Sequence, residues 1–101
     1  MEKQQEKVRQ KFEDGVIPIG RERVEFYMGV VYNELYRRKE LKLVSRGDFG
    51  VRKVLSIVTD FLSNKVIELE NNKVLIEFKE AVNDRGNKVM LPSIEVNIKK
   101  I

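Results

Sequence analysis

The stretch VIPIGRER at residues 16–23 decides the fold, because a short apolar run ends at a glycine and a helical pattern follows directly. The apolar residues 16–19 predict a strand, and Pro18, which lacks an N–H, predicts that this strand lies where that donor is not needed. Arg21 and Arg23 then open the helix, although the helix dipole favours anions at its N-terminus. A phosphate between the two arginines would offset that cost. The alternative is that both side chains extend into water, and the stretch alone favours neither.

Composition narrows the classes of function. The 101 residues suffice for one domain with a two-layer core, and the net charge of +4 fits an anionic partner without demanding one. The absence of cysteine and histidine excludes disulfides, thiolate nucleophiles and the usual acid–base residue. The carboxylate pairs Glu13–Asp14 and Glu68–Glu70 have no nucleophile–base arrangement beside them. We therefore expect a protein that is not an enzyme and that uses no cofactor or metal.

The first residues differ in character from the rest. Residues 1–14 are polar, carry as many acids as bases, and predict a flexible leader before a domain at residues 15–101. The start lacks the apolar core of a secretion signal, and no apolar run approaches the length of a membrane span. We expect an intracellular, cytoplasmic protein without a membrane partner.

Two helical patterns alternate with strand-like segments. The first helix runs from Glu22 to about Lys39, and the second reaches about Ser63 with Asp48 as a plausible N-cap. A second strand at residues 41–45 separates them. Residues 66–69 and 74–78 form strand-like runs, with either a bend or a hairpin turn at Asn71–Asn72; the bend is the preferred interpretation. A turn at residues 83–88 then leads to an alternating strand at residues 93–99.

The predicted order β-α-β-α-β-β gives an α/β two-layer sandwich. Two strand–helix units place both helices on one face of a mixed four-stranded sheet. The third and fourth strands form a long hairpin arm, and the other sheet face stays open.

These segments, in this order, resemble the Alba family, the small basic chromatin and RNA-binding proteins of archaea. Residues 19–24, Ile-Gly-Arg-Glu-Arg-Val, resemble the family's Ile-Gly-Lys-Lys-Pro-Val at the first helix. Tyr27 matches an aromatic position of that helix. Residues 44–47, Val-Ser-Arg-Gly, resemble the strand-then-Arg-Gly turn before the second helix, and the arm with its tip at residues 84–86 resembles the family's long β-arm. The match spans roughly residues 16–100.

The resemblance implies a homodimer whose two arms reach the minor grooves of a duplex on either side of a basic surface. Arg21 matches the first lysine of the family's central pair and Arg46 matches the Arg-Gly arginine. Glu22 falls where the second lysine is expected, and a glutamate there repels phosphate. Arg23, in the usual proline position, restores the lost positive charge. Neither residue 21 nor residue 22 can be acetylated as the family's lysines are. Phe61 matches an aromatic position that packs dimers side by side.

The candidate phosphate contacts are cations, because arginine pairs bidentately with phosphate oxygens. For each of them, solvated surface charge is the alternative. Arg85 at the arm tip is the strongest single candidate, since an arginine there could enter a narrow minor groove. Lys42 and Arg52 are weaker candidates, and Asn83 and Asn87 serve either groove edges or the turn itself. The predicted nucleic-acid-binding set is Arg21, Arg23, Arg46, Arg52, Lys53, Arg85 and Lys88, with Arg52 and Lys53 competing for one position in the second helix.

Four aromatic residues stand out, and three of them have two interpretations. Tyr27 lies on the apolar stripe of the first helix and is predicted to be core. Tyr32 and Tyr36 are spaced by four residues and form either a structural pair or a stacking surface for bases. Phe61 packs in the core or forms a dimer or dimer–dimer contact.

Together these features predict a sequence-independent double-stranded DNA-binding protein that coats or bridges duplexes as a dimer. RNA is the companion ligand, since basic backbone contacts scarcely separate the two. The location would be the nucleoid, and the partner copy would be identical or a paralogue. The alternative is a dimeric scaffold of the same fold in which Glu22 has weakened the affinity for nucleic acid.

Overall fold

The protein is described by a computed structural model in which residues 14–101 are placed. The predicted leader at residues 1–14 therefore lies, apart from Asp14, outside the described residues. Within them the chain forms the following elements: β1 (Val16–Pro18), α1 (Val24–Arg38), β2 (Glu40–Arg46), α2 (Asp48–Ser63), β3 (Ile67–Leu69), β4 (Leu75–Val82) and β5 (Lys88–Lys100).

The strands form one mixed sheet in the order β1-β2-β5-β3, with β4 also paired to β5. β1 runs parallel to β2, whereas β2, β3 and β4 all run antiparallel to β5. Pro18 lies in the edge strand β1, where the missing N–H interrupts no central ladder. The prediction that this strand lies where the donor is not needed is thus confirmed.

The predicted third strand is divided in two by a bend. β3 pairs with residues 98–100 of β5 and β4 pairs with residues 88–95 of the same strand. The 3-10 turn Glu70–Asn72 separates them, and Asn71 and Asn72 both have positive φ, at 57° and 54°. Asparagine tolerates this left-handed backbone better than most residues. The bend is confirmed over the hairpin, and it makes five strands where the sequence predicted four.

Both helices pack on one face of the sheet and contact each other. Alternation along the central strands supplies the core, because Leu43 of β2 and Val96 of β5 are fully buried while their neighbours Lys42 and Asn97 face outward. The other sheet face carries the ion pairs Lys42–Glu95 (3.6 Å) and Lys99–Glu40 (3.7 Å) and stays open. The predicted fold class, with two helices on one face, is confirmed.

The start of α2 differs from the prediction. Gly47 is the N-cap, with φ at 86°, and Asp48 is already the first helical residue and makes no side-chain cap hydrogen bond. The prediction of Asp48 as N-cap is wrong because a positive φ is needed one residue earlier, where glycine is tolerated. Asp48 still favours the helix as an acid in the first turn. Neither of the two described helices is long and apolar enough to cross a membrane.

Candidate nucleic-acid interface

The predicted contacts meet at one end of the sheet. β1 and β2 are parallel, so both end there, and both helices begin there. β5 is antiparallel to β2 and continues past the last β2 pair, Arg46 with Ser93, for residues 92 to 88. Residues 78–92, which we call the arm, therefore project about 17 Å beyond this same end of the sheet.

The segment joining β1 to α1, residues 19–23, is the basic loop. Its backbone is held by a tyrosine hydroxyl. The amides of Gly20 and Glu22 both donate to Tyr27 Oη, at 2.8 and 3.3 Å. Tyr27 is 6% exposed, so the predicted core position is confirmed, but the hydroxyl has a role that the stripe of apolar residues did not reveal. A tyrosine rather than phenylalanine at a buried position is the signal, since a buried hydroxyl needs a partner.

Lys53 of α2 holds the same loop from the other side. Its ammonium donates to the carbonyls of Gly20, at 2.7 Å, and Glu22, at 2.9 Å. An ammonium has three donors, so these bonds engage most of its capacity. The structure thus places Lys53, a predicted phosphate contact, against the loop backbone, and Arg52 beside it is the exposed cation of the pair.

A third attachment comes from β2. Ser45 Oγ donates to the carbonyl of Ile19, whose own amide donates to Val44 at 2.8 Å. The space for Ser45 exists because residue 50 in α2 is a glycine: a Cβ there would lie 2.0 Å from Ser45 Oγ. One strand and two helices therefore fix the path of the basic loop.

This framework leaves three charged side chains exposed in succession, Arg21, Glu22 and Arg23. Arg23 is the N-cap residue of α1 and makes no side-chain cap hydrogen bond. The first amides of the helix and two guanidinium groups thus lie together at a helix N-terminus, a combination that attracts anions. Glu22 lies between the arginines and lowers the local positive charge.

Arg46, exposed at the last position of β2, lies one residue beyond the serine that holds the loop. A groove of about 480 Å³ on the open sheet face begins beside it and reaches Lys79 of β4. Glu77 and Glu95 line the same groove, so its charge is mixed. Ile19, the first residue of the basic loop, lines the groove as well, so Arg46 is a cation at the point where the groove meets the loop.

The tip of the arm is a turn built on Asn83. Its Oδ1 accepts the amides of Arg85, at 3.0 Å, and Asn87, at 2.9 Å, and Gly86 has φ at 80°. The turn interpretation of Asn83 is confirmed, since its side-chain oxygen is used by the backbone. The Arg85 side chain is exposed at the tip and makes no ion pair among residues 14–101.

Lys88 and Lys42, the other predicted cations near the strands, are both in exposed ion pairs. Lys88 Nζ lies 3.4 Å from Glu80 across the arm, and Lys42 pairs with Glu95. Exposed pairs of this kind contribute only about 0–1 kcal/mol, so a stronger anion can displace them.

The structure places Phe61 in the core. Its ring is 5% exposed, which leaves little surface for a second molecule, so of its two interpretations the structure supports core packing. Tyr32 and Tyr36 are exposed near the other end of α1, away from the basic loop. Among residues 14–101 no group of three or more acidic, histidine or cysteine side chains could hold a metal ion.

Two helices on one face of a mixed sheet, with a long two-stranded arm beyond one end, define the Alba fold. The chain is similar to Alba from Thermoplasma volcanium, with a TM-score of 0.68 at 16% sequence identity over 84% of this chain and 99% of that one. It is also similar to ALBA1 from Trypanosoma brucei, with a TM-score of 0.64 at 14% identity over 85% of this chain and 68% of that one. No family model matches the sequence. No curated protein matches it either.

Proposed function

We propose that the protein is a sequence-independent double-stranded DNA-binding protein that acts as a dimer to coat or bridge duplexes. The observation that carries the proposal is the gathering of the basic loop, Arg46, Arg52 and the arm at one end of the sheet. The Alba fold, shared with proteins of that name, supports it. Cations on a rigid framework neutralise phosphates without reading bases, so the binding would be independent of sequence.

The arm supplies the second half of the proposed interface. It is narrow, two-stranded and exposed, and Arg85 stands at its tip with its guanidinium free of ion pairs among the described residues. An arginine presented in this way fits a narrow minor groove, where the negative potential is strongest. RNA is the companion ligand, because backbone contacts from the basic loop do not distinguish the two.

Gel shifts with duplex DNA and duplex RNA across a salt series test the proposal. We expect micromolar or tighter binding, with log affinity falling steeply against log salt by about 0.9 for each phosphate neutralised. Arg85→Ala should weaken binding and reduce the slope without unfolding the protein. Lys73→Ala, which removes another exposed cation, next to the bend after β3, is the matched control. No shift at low salt would overturn the function, and an unchanged affinity for Arg85→Ala would remove the arm from it.

Dimerisation is proposed on an apolar surface of the arm. Phe78 and Met90 are 66% and 60% exposed, and the β4–β5 register places both on the face of the sheet that carries the helices. Ile76 and Val82 of β4 add to the same face. Exposed apolar groups in such numbers mark interaction surfaces, and a second copy of the chain would cover them symmetrically.

A scaffold function is the second candidate, and Glu22 is the observation that favours it. The carboxylate is exposed between Arg21 and Arg23, where a phosphate would have to lie. In a scaffold, the dimer persists while binding to nucleic acid is weak. Glu22→Lys separates the two: a modest gain in an existing duplex affinity supports nucleic-acid binding by the native chain. Binding that exists only in the variant supports the scaffold.

For a duplex-coating protein we propose a location at the chromosome, in the cytoplasm of a cell without a nucleus. Crosslinking of the protein to DNA in cells, compared with Arg85→Ala, tests the association directly. A crosslinked fraction that does not change with the substitution would argue against the proposed interface.

A further inference from the structure

A pair of exposed tyrosines lies in the last turns of α1. Tyr32 and Tyr36 are 41% and 56% exposed. Their ring centroids are 5.1 Å apart at 65°, edge to face, and the Tyr32 hydroxyl donates to the Tyr36 hydroxyl at 3.2 Å. The two rings therefore hold each other in a fixed arrangement while much of their surface faces solvent.

A lysine lies over one ring of this pair. Lys100 Nζ lies 3.9 Å from the centroid of the Tyr36 ring, and the Lys100 amide donates to the carbonyl of Lys39 at 2.8 Å, which joins the end of β5 to the end of α1. Arg37 is exposed in the last turn of the same helix. Lys100 therefore places a positive charge directly at the aromatic pair, and Arg37 adds one in the same helical turn.

The acid of the same two helical turns, Glu34, is held in two ion pairs. Glu34 accepts from Arg37 at 3.3 Å and Arg38 at 3.1 Å, and its side chain is only 12% exposed. Glu40, on the first residue of β2, pairs with Lys99 at 3.7 Å. Among the described residues, Lys39 and Lys100 have no acidic partner, so the surface next to the rings is cationic.

This surface is distinct from the basic loop. Tyr36 lies 13 residues after the N-cap Arg23 on a single straight element, about 20 Å along the helix axis. It lies at the end of the sheet where α1 ends and β3 pairs with β5, opposite the arm.

We propose that Tyr32, Tyr36 and Lys100 form a contact site for unpaired nucleobases of single-stranded nucleic acid. The inference rests on the proposed function in that the ligand is a nucleic acid, but it uses a different surface and a different strand state. The ring faces that Lys100 does not cover can bind bases by stacking whatever the sequence, and the Lys100 ammonium attracts the phosphate that follows each base. Paired bases in a duplex are stacked on each other and offer no free face, so the site selects single strands.

Intrinsic tyrosine fluorescence reports the site directly. The chain has no tryptophan and three tyrosines, of which Tyr27 is buried. We expect a short oligoadenylate to quench the fluorescence of the wild-type protein, since a base must stack on an exposed ring to do so. An abasic oligomer of the same length and charge should leave it almost unchanged. Equal quenching by both would overturn the proposal.

Two substitutions at one position make the test specific. Tyr36→Leu should lower the affinity for oligoadenylate about tenfold or more, as loss of one stacking side chain does, whereas Tyr36→Phe keeps the ring and should bind like the wild type. Equal affinities for Tyr36→Leu and wild type would overturn the site, with circular dichroism confirming that the variants fold.

Arg85→Ala separates this site from the duplex interface. It should weaken duplex binding and leave oligoadenylate quenching unchanged. If the wild type fails to bind duplex but is still quenched by oligoadenylate, the duplex function falls and the single-strand site stands. If the wild type binds duplex but oligoadenylate does not quench its fluorescence, the duplex function stands and the single-strand site is wrong.

Discussion

The ammonium of Lys53 donates a hydrogen bond to the carbonyl of Gly20, 33 residues earlier in the chain, at 2.7 Å. The same ammonium donates a second bond to the carbonyl of Glu22, so the basic loop is attached to α2 at two points. Lys53 therefore fixes the backbone that displays the two arginines, a role that the sequence did not predict. Its direct phosphate contact stays a prediction.

Lys53→Met should destabilise the protein by about 1 kcal/mol, because two carbonyls lose a charged donor at a partly exposed position. Arg52→Met, which changes the charge equally on an exposed side chain, should stay within about 0.5 kcal/mol of the wild type. Urea denaturation of both variants measures the difference. Equal stabilities would argue against a positioning role for Lys53.

Gly50→Ala should cost about 1–3 kcal/mol, as overpacking does. The new Cβ would displace Ser45 from the carbonyl of Ile19, since it would lie 2.0 Å from Ser45 Oγ and 3.1 Å from Ser45 Cβ. Gly29→Ala is the control: nothing lies within 4 Å of its Cβ position, so the exposed helix should gain about 0.5–1 kcal/mol. Thermal unfolding of the two variants should shift in opposite directions, and a shift in the same direction would contradict the contact.

Phe78→Asp should shift the proposed dimer toward monomer. Each apolar ring buried in an interface contributes about 1.5–3 kcal/mol, and twofold symmetry counts it twice. Sedimentation over a concentration series checks this. Leu75→Asp, on the same strand but on the open sheet face, should leave association unchanged. A wild-type monomer at all concentrations would remove the interface.

The Tyr32 hydroxyl should lose its proton at a higher pH than an ordinary tyrosine. Its hydrogen bond to Tyr36, and then repulsion from that group when ionised, raise the pKa of Tyr32 above its ordinary value of 10.0. Because the folded-state pKa lies above the unfolded one, this effect stabilises the fold fully below about pH 10 and is lost as pH rises through the folded-state pKa. Tyr36→Phe should lower the Tyr32 pKa toward its ordinary value, which carbon NMR of the ring measures. An unchanged titration would mean that the hydroxyls do not interact.

Much of the fold could be predicted because it depends on local patterns. The helices followed from apolar residues at helical spacing, and the edge position of β1 followed from Pro18. The start of α2 was missed by one residue because it depends on a positive φ at Gly47, which composition does not reveal. The bend at Asn71 and Asn72 was predicted, but not that it interrupts the pairing with β5 and so divides one strand into two.

The interior of the candidate site was harder to predict than its surface. Exposed arginines can be found by charge and position alone. The partners of Lys53 and Tyr27 are carbonyls and amides of a loop from another part of the chain, so their roles depend on tertiary contacts. Ser45 and Gly50 form a complementary pair across 5 residues and two elements, which only the packed structure brings into contact.

β5 extends beyond the end of β2, and this extension determines where the protein unfolds locally. Residues 93–95 of β5 pair with β2 on one side and with β4 on the other, whereas residues 92 to 88 pair with β4 alone. Isolated two-stranded ribbons are marginally stable in water. We therefore expect the arm to unfold locally as a separate unit. The amides of residues 88–92 should exchange with solvent faster than the amide of Val96. The amide exchange rate of the arm therefore reports the fraction of protein with a ligand bound to it, because a ligand that binds the two strands slows their opening.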